Sequence, residues 1–344
     1  MPPTPSLLAS LIQYSSISYS HAQNIIKLKM SGFFNAIGLV SGALTIVSFT
    51  ESQLPDNKPQ GPSIRIKAGL HGVGEESESL GGSIAAVYAW GEGNRFSGQA
   101  GGCGIDPGSF CDVTVDQGSG RRAEYIGVSN NDDATCIAWI SVNQADDTDG
   151  GAWTGDIGRH CGERWYNSRE SAGNLKDSSK PYVPACTWLD KDETNDIVNA
   201  ALKFTTNAYA SSVQEVADEE KTCDSTIYGG DSGPIAAQPA KRSIPERPTW
   251  MHEYLIVSNW TSQTAADLCN SATSWGPDFI GSDDQFCDMS TKTLTPLCSP
   301  ETVGSSGCVD VDEDAVSVVK RTSVARRAAT VLHKSYKKIE KWGV

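Results

Sequence analysis

The chain has 344 residues and a formal net charge of −14, with 38% hydrophobic and 20% charged residues, 33 glycines, nine tryptophans and four methionines. That length supports one large core or two modest ones, and the acidic balance excludes a nucleic-acid partner, because phosphate binding needs a basic field. Many glycines beside many tryptophans suit short aromatic-rich strands joined by turns, so a mainly β protein with few helices is expected.

Two export signals compete at the N-terminus. Residues 1–22 hold an apolar stretch at 7–12 and a small-residue end at Ser20-His21-Ala22. Residues 33–49 (FFNAIGLVSGALTIVSF) carry no charge and follow Lys27 and Lys29, which fits a signal h-region or a short membrane helix. Gly38 and Gly42 in that run have the small-xxx-small spacing that lets helices pack closely. Residues 1–52 are therefore read as an export signal or hydrophobic segment, with secretion expected and a membrane anchor through 33–49 as the alternative. Met30 is a second candidate start.

From residue 62 the pattern alternates between strand-like runs and polar turns, with strands expected at 63–68, 83–90, 112–115, 124–129 and 136–142. That spacing suggests a sandwich-like domain over residues 62–233. Helices are expected at 196–204 and 265–270. Pro234, Pro239, Pro245 and Pro248 mark residues 234–249 as a linker, which also contains the dibasic pair Lys241-Arg242. A smaller module is expected over 250–314.

The ten cysteines are Cys103, Cys111, Cys136, Cys161, Cys186, Cys223, Cys269, Cys287, Cys298 and Cys308. Their number is even and no two form a C-x-x-C pair, so zinc, redox and haem-attachment patterns fail and disulfides are expected. Six precede the linker and four follow it, so each side can close its own bridges. In residues 315–344 Lys320, Arg321, Arg326, Arg327, Lys334, Lys337, Lys338 and Lys341 face Glu340 alone. Val324, Ala328, Val331, Ile339 and Trp342 fall on one helical stripe there, which predicts a basic amphipathic tail able to meet an anionic membrane.

Candidate chemistry is sparse. Gly230-Asp231-Ser232-Gly233-Pro234, Arg159-His160-Cys161 and Asn195-Asp196-Ile197 resemble the nucleophile, base and acid segments of trypsin-like enzymes, in the right order. The spacing argues against them: His160, Asp196 and Ser232 lie 36 positions apart, too few to build the second barrel. The acidic groups Asp146-Asp147-Thr148-Asp149-Gly150, Asp190-Lys191-Asp192-Glu193 and Asp310-Val311-Asp312-Glu313-Asp314 lack the EF-hand spacing and read as solvated loops. No metal or cofactor is expected. Trp153, Trp165, Tyr166, Trp188, Trp260 and Trp275 are candidates for stacking on sugars or, alternatively, for the core. Asn259-Trp260-Thr261 is an N-glycosylation sequon.

Residues 32–49, CIAWISV (136–142), GDIGRHCGERWYNS (155–168) and LCNSATSWGPDFIGSDDQFCDM (268–289) together resemble a large family of predicted-secreted proteins of filamentous fungi, of the effector-candidate type. The resemblance implies an extracellular fungal protein and assigns no catalytic role to any residue. The function expected is non-enzymatic, in host interaction or virulence, with a host or cell-wall component as partner. A secreted hydrolase, a lectin-like or membrane-active surface protein, and an accessory protein of a secondary-metabolite pathway are the alternatives.

Overall fold

The computed structural model describes residues 33–40, 42–72, 80–118, 121–146, 148, 150–176, 178–193, 197–230, 235–237, 246–302, 307–324 and 327–343. Strands hold 46% of the chain and helices 12%, so the fold is mainly β with several sheets and short helices. The strands Ser63–Ala68, Gly82–Gly91, Phe110–Thr114, Tyr125–Asn130 and Thr135–Asn143 stand where period-2 alternation predicts them.

Two large sheets make the first core. In one, Thr135–Asn143 pairs with Ser63–Ala68, Gly151–Thr154 and Cys186–Leu189. In the other, Gly82–Gly91, Tyr125–Asn130, Ala201–Thr205 and Thr226–Gly230 lie side by side. Ile64, Ile66, Ile140 and Val142 of the first share one aliphatic cluster with Val87, Ala89, Ile126, Val128, Leu202 and Phe204 of the second. The smaller C-terminal sheets are a five-stranded one around Tyr254–Ser258 and a three-stranded one over Cys308–Asp312, Ser317–Val324 and Arg327–Ser335.

The hydrophobic run at 33–49 does not form a membrane helix. It is the hairpin Phe33–Val40 and Ala43–Thr50, inserted against Gly151–Thr154 with Ala36, Ile37, Val47 and Phe49 buried. The run is rich in β-branched residues and is shorter than the ~20 residues a spanning helix needs. Its glycines do other work: Gly42 turns the hairpin at φ +81, and a Cβ on Gly38 would meet the ring of Tyr182 at 2.6 Å. No helix among the described residues is long and apolar enough to cross a membrane. Residues 1–22 lie outside the described residues.

Three further expectations are corrected. Residues 201–204 of the predicted helix 196–204 belong to the strand Ala201–Thr205, because Leu202 and Phe204 alternate with Ala201 and Lys203 between two neighbours. The basic tail is not an amphipathic helix: it supplies Ser317–Val324, Arg327–Ser335 and Lys338–Trp342, with Trp342 wholly buried. Its apolar and basic residues alternate closely enough to satisfy a strand period as well as a helical one. Asp190 is not solvated but fully buried at the end of Cys186–Leu189. The helix Ala265–Asn270 forms as predicted, with Thr264 capping it by accepting from the Asp267 amide.

All ten cysteines pair, as Cys103–Cys111, Cys136–Cys186, Cys161–Cys223, Cys269–Cys287 and Cys298–Cys308. None crosses residues 234–249. The hydrophobic core does cross them: Trp188 meets Trp275 edge-on at 4.9 Å, and one cluster holds Trp139, Tyr166 and Cys186 together with Trp250, Phe279 and Trp342.

Candidate functional site

His160 is exposed at the end of the short helix Gly155–His160, while Asp196 and Ser232 lie outside the described residues. Asn259 of the sequon is exposed. Trp153, Trp165, Tyr166, Trp188 and Trp275 are buried and Trp260 is half-buried, so these rings serve packing. Among the described residues no cluster of metal-ligating side chains forms.

What the fold assembles instead is a basic pocket where the two sides of the Pro-rich segment meet. A cavity of about 390 Å³ is lined by Arg164 before the Pro-rich segment, by Glu246 and Arg247 within its last residues, and by His252, Ser274, Trp275, Met289, Ser290 and Lys292 after it. Trp275 and Met289 form its apolar wall.

Its positive groups are held rigidly. Arg247, only 8% exposed, donates to Asp278 Oδ1 and to the Gly276 carbonyl, both at 3.0 Å. Its other amino group donates to His252 Nδ1 at 3.1 Å and to Ser290 Oγ. His252 Nε2 returns a hydrogen bond to the Arg247 carbonyl at 3.2 Å, so the imidazole works as a clamp on this arginine. Behind it, Asp278 also accepts from Lys334 at 2.8 Å and from the Tyr336 hydroxyl at 2.9 Å. Lys334 reaches Asp288 as well, at 2.6 Å, and holds its carboxyl below the usual range against the opposing effect of burial. The tail thus positions the pocket from below.

Lys292 differs from these paired cations. It ends the four-residue loop between Gln285–Asp288 and Thr293–Pro296 and has a left-handed φ of +53, where glycine or asparagine is preferred. From there its ammonium donates to the Ser274 carbonyl at 2.8 Å, to Ser274 Oγ and to the Leu268 carbonyl at 3.3 Å. All of these are neutral acceptors, and Lys292 forms no ion pair among the described residues. Burial, with Arg247 and Arg164 nearby, pushes its pKa down to about 8.

Sequence reasoning missed Arg164, Arg247, Ser274 and Lys292, because they converge from separate loops and form no local motif. The one sequence signal is lysine at the last position of a tight hairpin loop, legible only once the hairpin is known.

A second cleft, of about 670 Å³, opens beside Arg95–Gly101, lined by Glu92, Arg95, Phe96, Gln117, Arg121 and Glu124 among others. Phe96 is 49% exposed and rests edge-on against buried Trp90 at 5.9 Å. The Lys203 ammonium covers the Trp90 ring at 3.8 Å.

Fold and site define a disulfide-stapled β protein with a basic pocket at an internal seam. Comparison with known protein families, curated proteins and solved structures finds no match.

Proposed function

We propose that this chain is an exported, non-enzymatic binding protein of the fungal effector-like class that holds an anionic small molecule in the pocket around Lys292. One observation carries the reading: a largely buried ammonium with only neutral hydrogen-bond partners lies beside two guanidinium groups at a cavity. An uncompensated buried charge is costly, and an anion entering the cavity offsets that cost with charge-assisted hydrogen bonds. Five disulfides support the exported setting, since such bonds persist in oxidising compartments. Calorimetric titration with phosphate, citrate and benzoate tests the pocket. Lys292→Met should weaken the bound anion by about 1.5 to 3 kcal/mol, as for a hydrogen bond to a charged group. Absence of binding by all three at millimolar concentration, or equal affinity of the variant, rejects the reading.

Exposed Phe96 favours a second, lectin-like reading, in which a sugar ring lies on the phenyl face and the polar lining meets its hydroxyls. A glycan array with wild type and Phe96→Ala decides it, since hits unchanged in the variant remove the cleft from consideration.

A further inference from the structure

The pocket holds an amine in an environment that favours chemistry beyond ion pairing. Lys292 Nζ reaches the cavity from a strained loop position, sits beside Arg164 and Arg247, and faces the apolar surfaces of Trp275 and Met289. A lysine that is desolvated and near other cations is the kind that attacks carbonyl carbon. Backbone strain at a functional position is retained where it places a group that a relaxed residue would not supply.

We infer that Lys292 captures an anionic carbonyl compound, an oxo acid or an aldehyde bearing a carboxylate or phosphate, as a reversible imine. The inference rests on the anion-binding reading above. In it, Arg164 holds the anionic group, the Arg247 guanidinium behind it stays paired with Asp278, and the carbonyl carbon meets Nζ. The neutral amine adds its lone pair to that carbon as the carbon–oxygen π bond opens, and one nitrogen proton passes to the oxygen to give a carbinolamine. The nitrogen then loses its second proton, the carbon–oxygen bond breaks, and water leaves as the carbon–nitrogen double bond forms. No oxidant or reductant takes part. Ser274 Oγ accepts a hydrogen bond from Nζ and its hydroxyl donates to the Leu268 carbonyl at 2.6 Å, which orients the amine, and the proton that the ammonium releases passes to solvent in the cavity.

At pH 7 an amine titrating near 8 is about one-tenth unprotonated, whereas an ordinary lysine is less than about one-thousandth so. Lys292 is therefore the preferred amine over the surface lysines.

The full-length protein is incubated at pH 7 with pyruvate or pyridoxal phosphate and cyanoborohydride, then digested and mapped by mass spectrometry. Reduction traps the imine as a secondary amine, heavier by the mass of the carbonyl compound less one oxygen. Label concentrated on Lys292 is the expected result, with propanal, which lacks the anion, labelling it roughly tenfold more slowly. Lys292→Gly should abolish the label without unfolding the protein, because glycine relieves the left-handed φ. Arg164→Gln should slow labelling by pyruvate more than labelling by propanal, which loses only the effect of Arg164 on the protonation of the amine. Label spread over exposed lysines overturns the inference. Lactate, which has no ketone or aldehyde group, separates the two failures. If it binds while no label forms on Lys292, only imine capture falls; if it does not bind either, the anion pocket falls with it.

Discussion

Trp342 Nε1 donates to the carbonyl of His71 at 2.5 Å, joining the last strand of the chain to a loop 271 positions earlier. Around that bond, Lys338–Trp342 runs parallel to Tyr254–Ser258, and the His71 ring lies 5.1 Å from Trp250 and 4.9 Å from Tyr254. The C-terminal residues are therefore structural. Trp342→Ala should cost about 3 to 5 kcal/mol, the usual range for removing a buried aromatic ring. A chain ending at residue 314 should fail to give a cooperative transition. Denaturant unfolding of both variants checks this.

The pairing of the cysteines leaves no covalent link across residues 234–249. Cleavage within 238–245 should give two fragments that separate on a non-reducing denaturing gel. They should co-elute under native conditions, because Trp188, Trp275, Trp342 and their neighbours remain packed. Within the first fragment, removing Cys136–Cys186, which closes 50 positions, should lower stability by up to about 4 kcal/mol.

Anion binding should weaken as pH rises through about 8. Lys292 is charged below that value and neutral above it, and a bound anion favours the charged form. Arg164, Arg247, His252 and Glu246 also line the cavity. Lys292→Met should flatten the alkaline limb of an affinity–pH profile and leave residual binding at Arg164.

Glu163 makes a separate pH prediction. Burial raises its carboxyl to about 7, against the lowering effect of the Asn199 amide that donates to it. The folded state therefore holds this proton more tightly than the unfolded chain, and the carboxyl contributes most to stability at low pH. That contribution falls as pH rises from the ordinary glutamate range to about 7 and is lost above it. Glu163→Gln keeps an acceptor for Asn199 and should raise Tm by a few degrees at pH 8, with little change at pH 4. A variant equally stabilised at both values contradicts this assignment.

Much of residues 62–233 could be read locally. Ser63–Ala68 and Thr135–Asn143 announce themselves by alternating apolar residues, and Ala265–Asn270 by its Thr264 cap, since these signals depend on near neighbours in the chain. Where local signals were ambiguous the reading failed. The run at 33–49 is apolar enough for a helix, and only Gly38 beneath Tyr182 and the partner strand Gly151–Thr154 make it a hairpin. Leu202 and Phe204 likewise became strand residues because two neighbouring strands offered backbone partners, which outweigh weak helical preference.

By itself the sequence determined the β-rich class and the even set of cysteines suited to disulfides. Composition, period-2 alternation and residue counts need no knowledge of long-range contacts. Tertiary structure alone decided which cysteines pair, that the tail is structural, and where the pocket lies. Arg164, Arg247 and Lys292 meet only because the core closes across the Pro-rich segment. Lys292 donates to neutral acceptors, while Asp278 is occupied by Arg247, Lys334 and Tyr336, and Asp288 by Lys334.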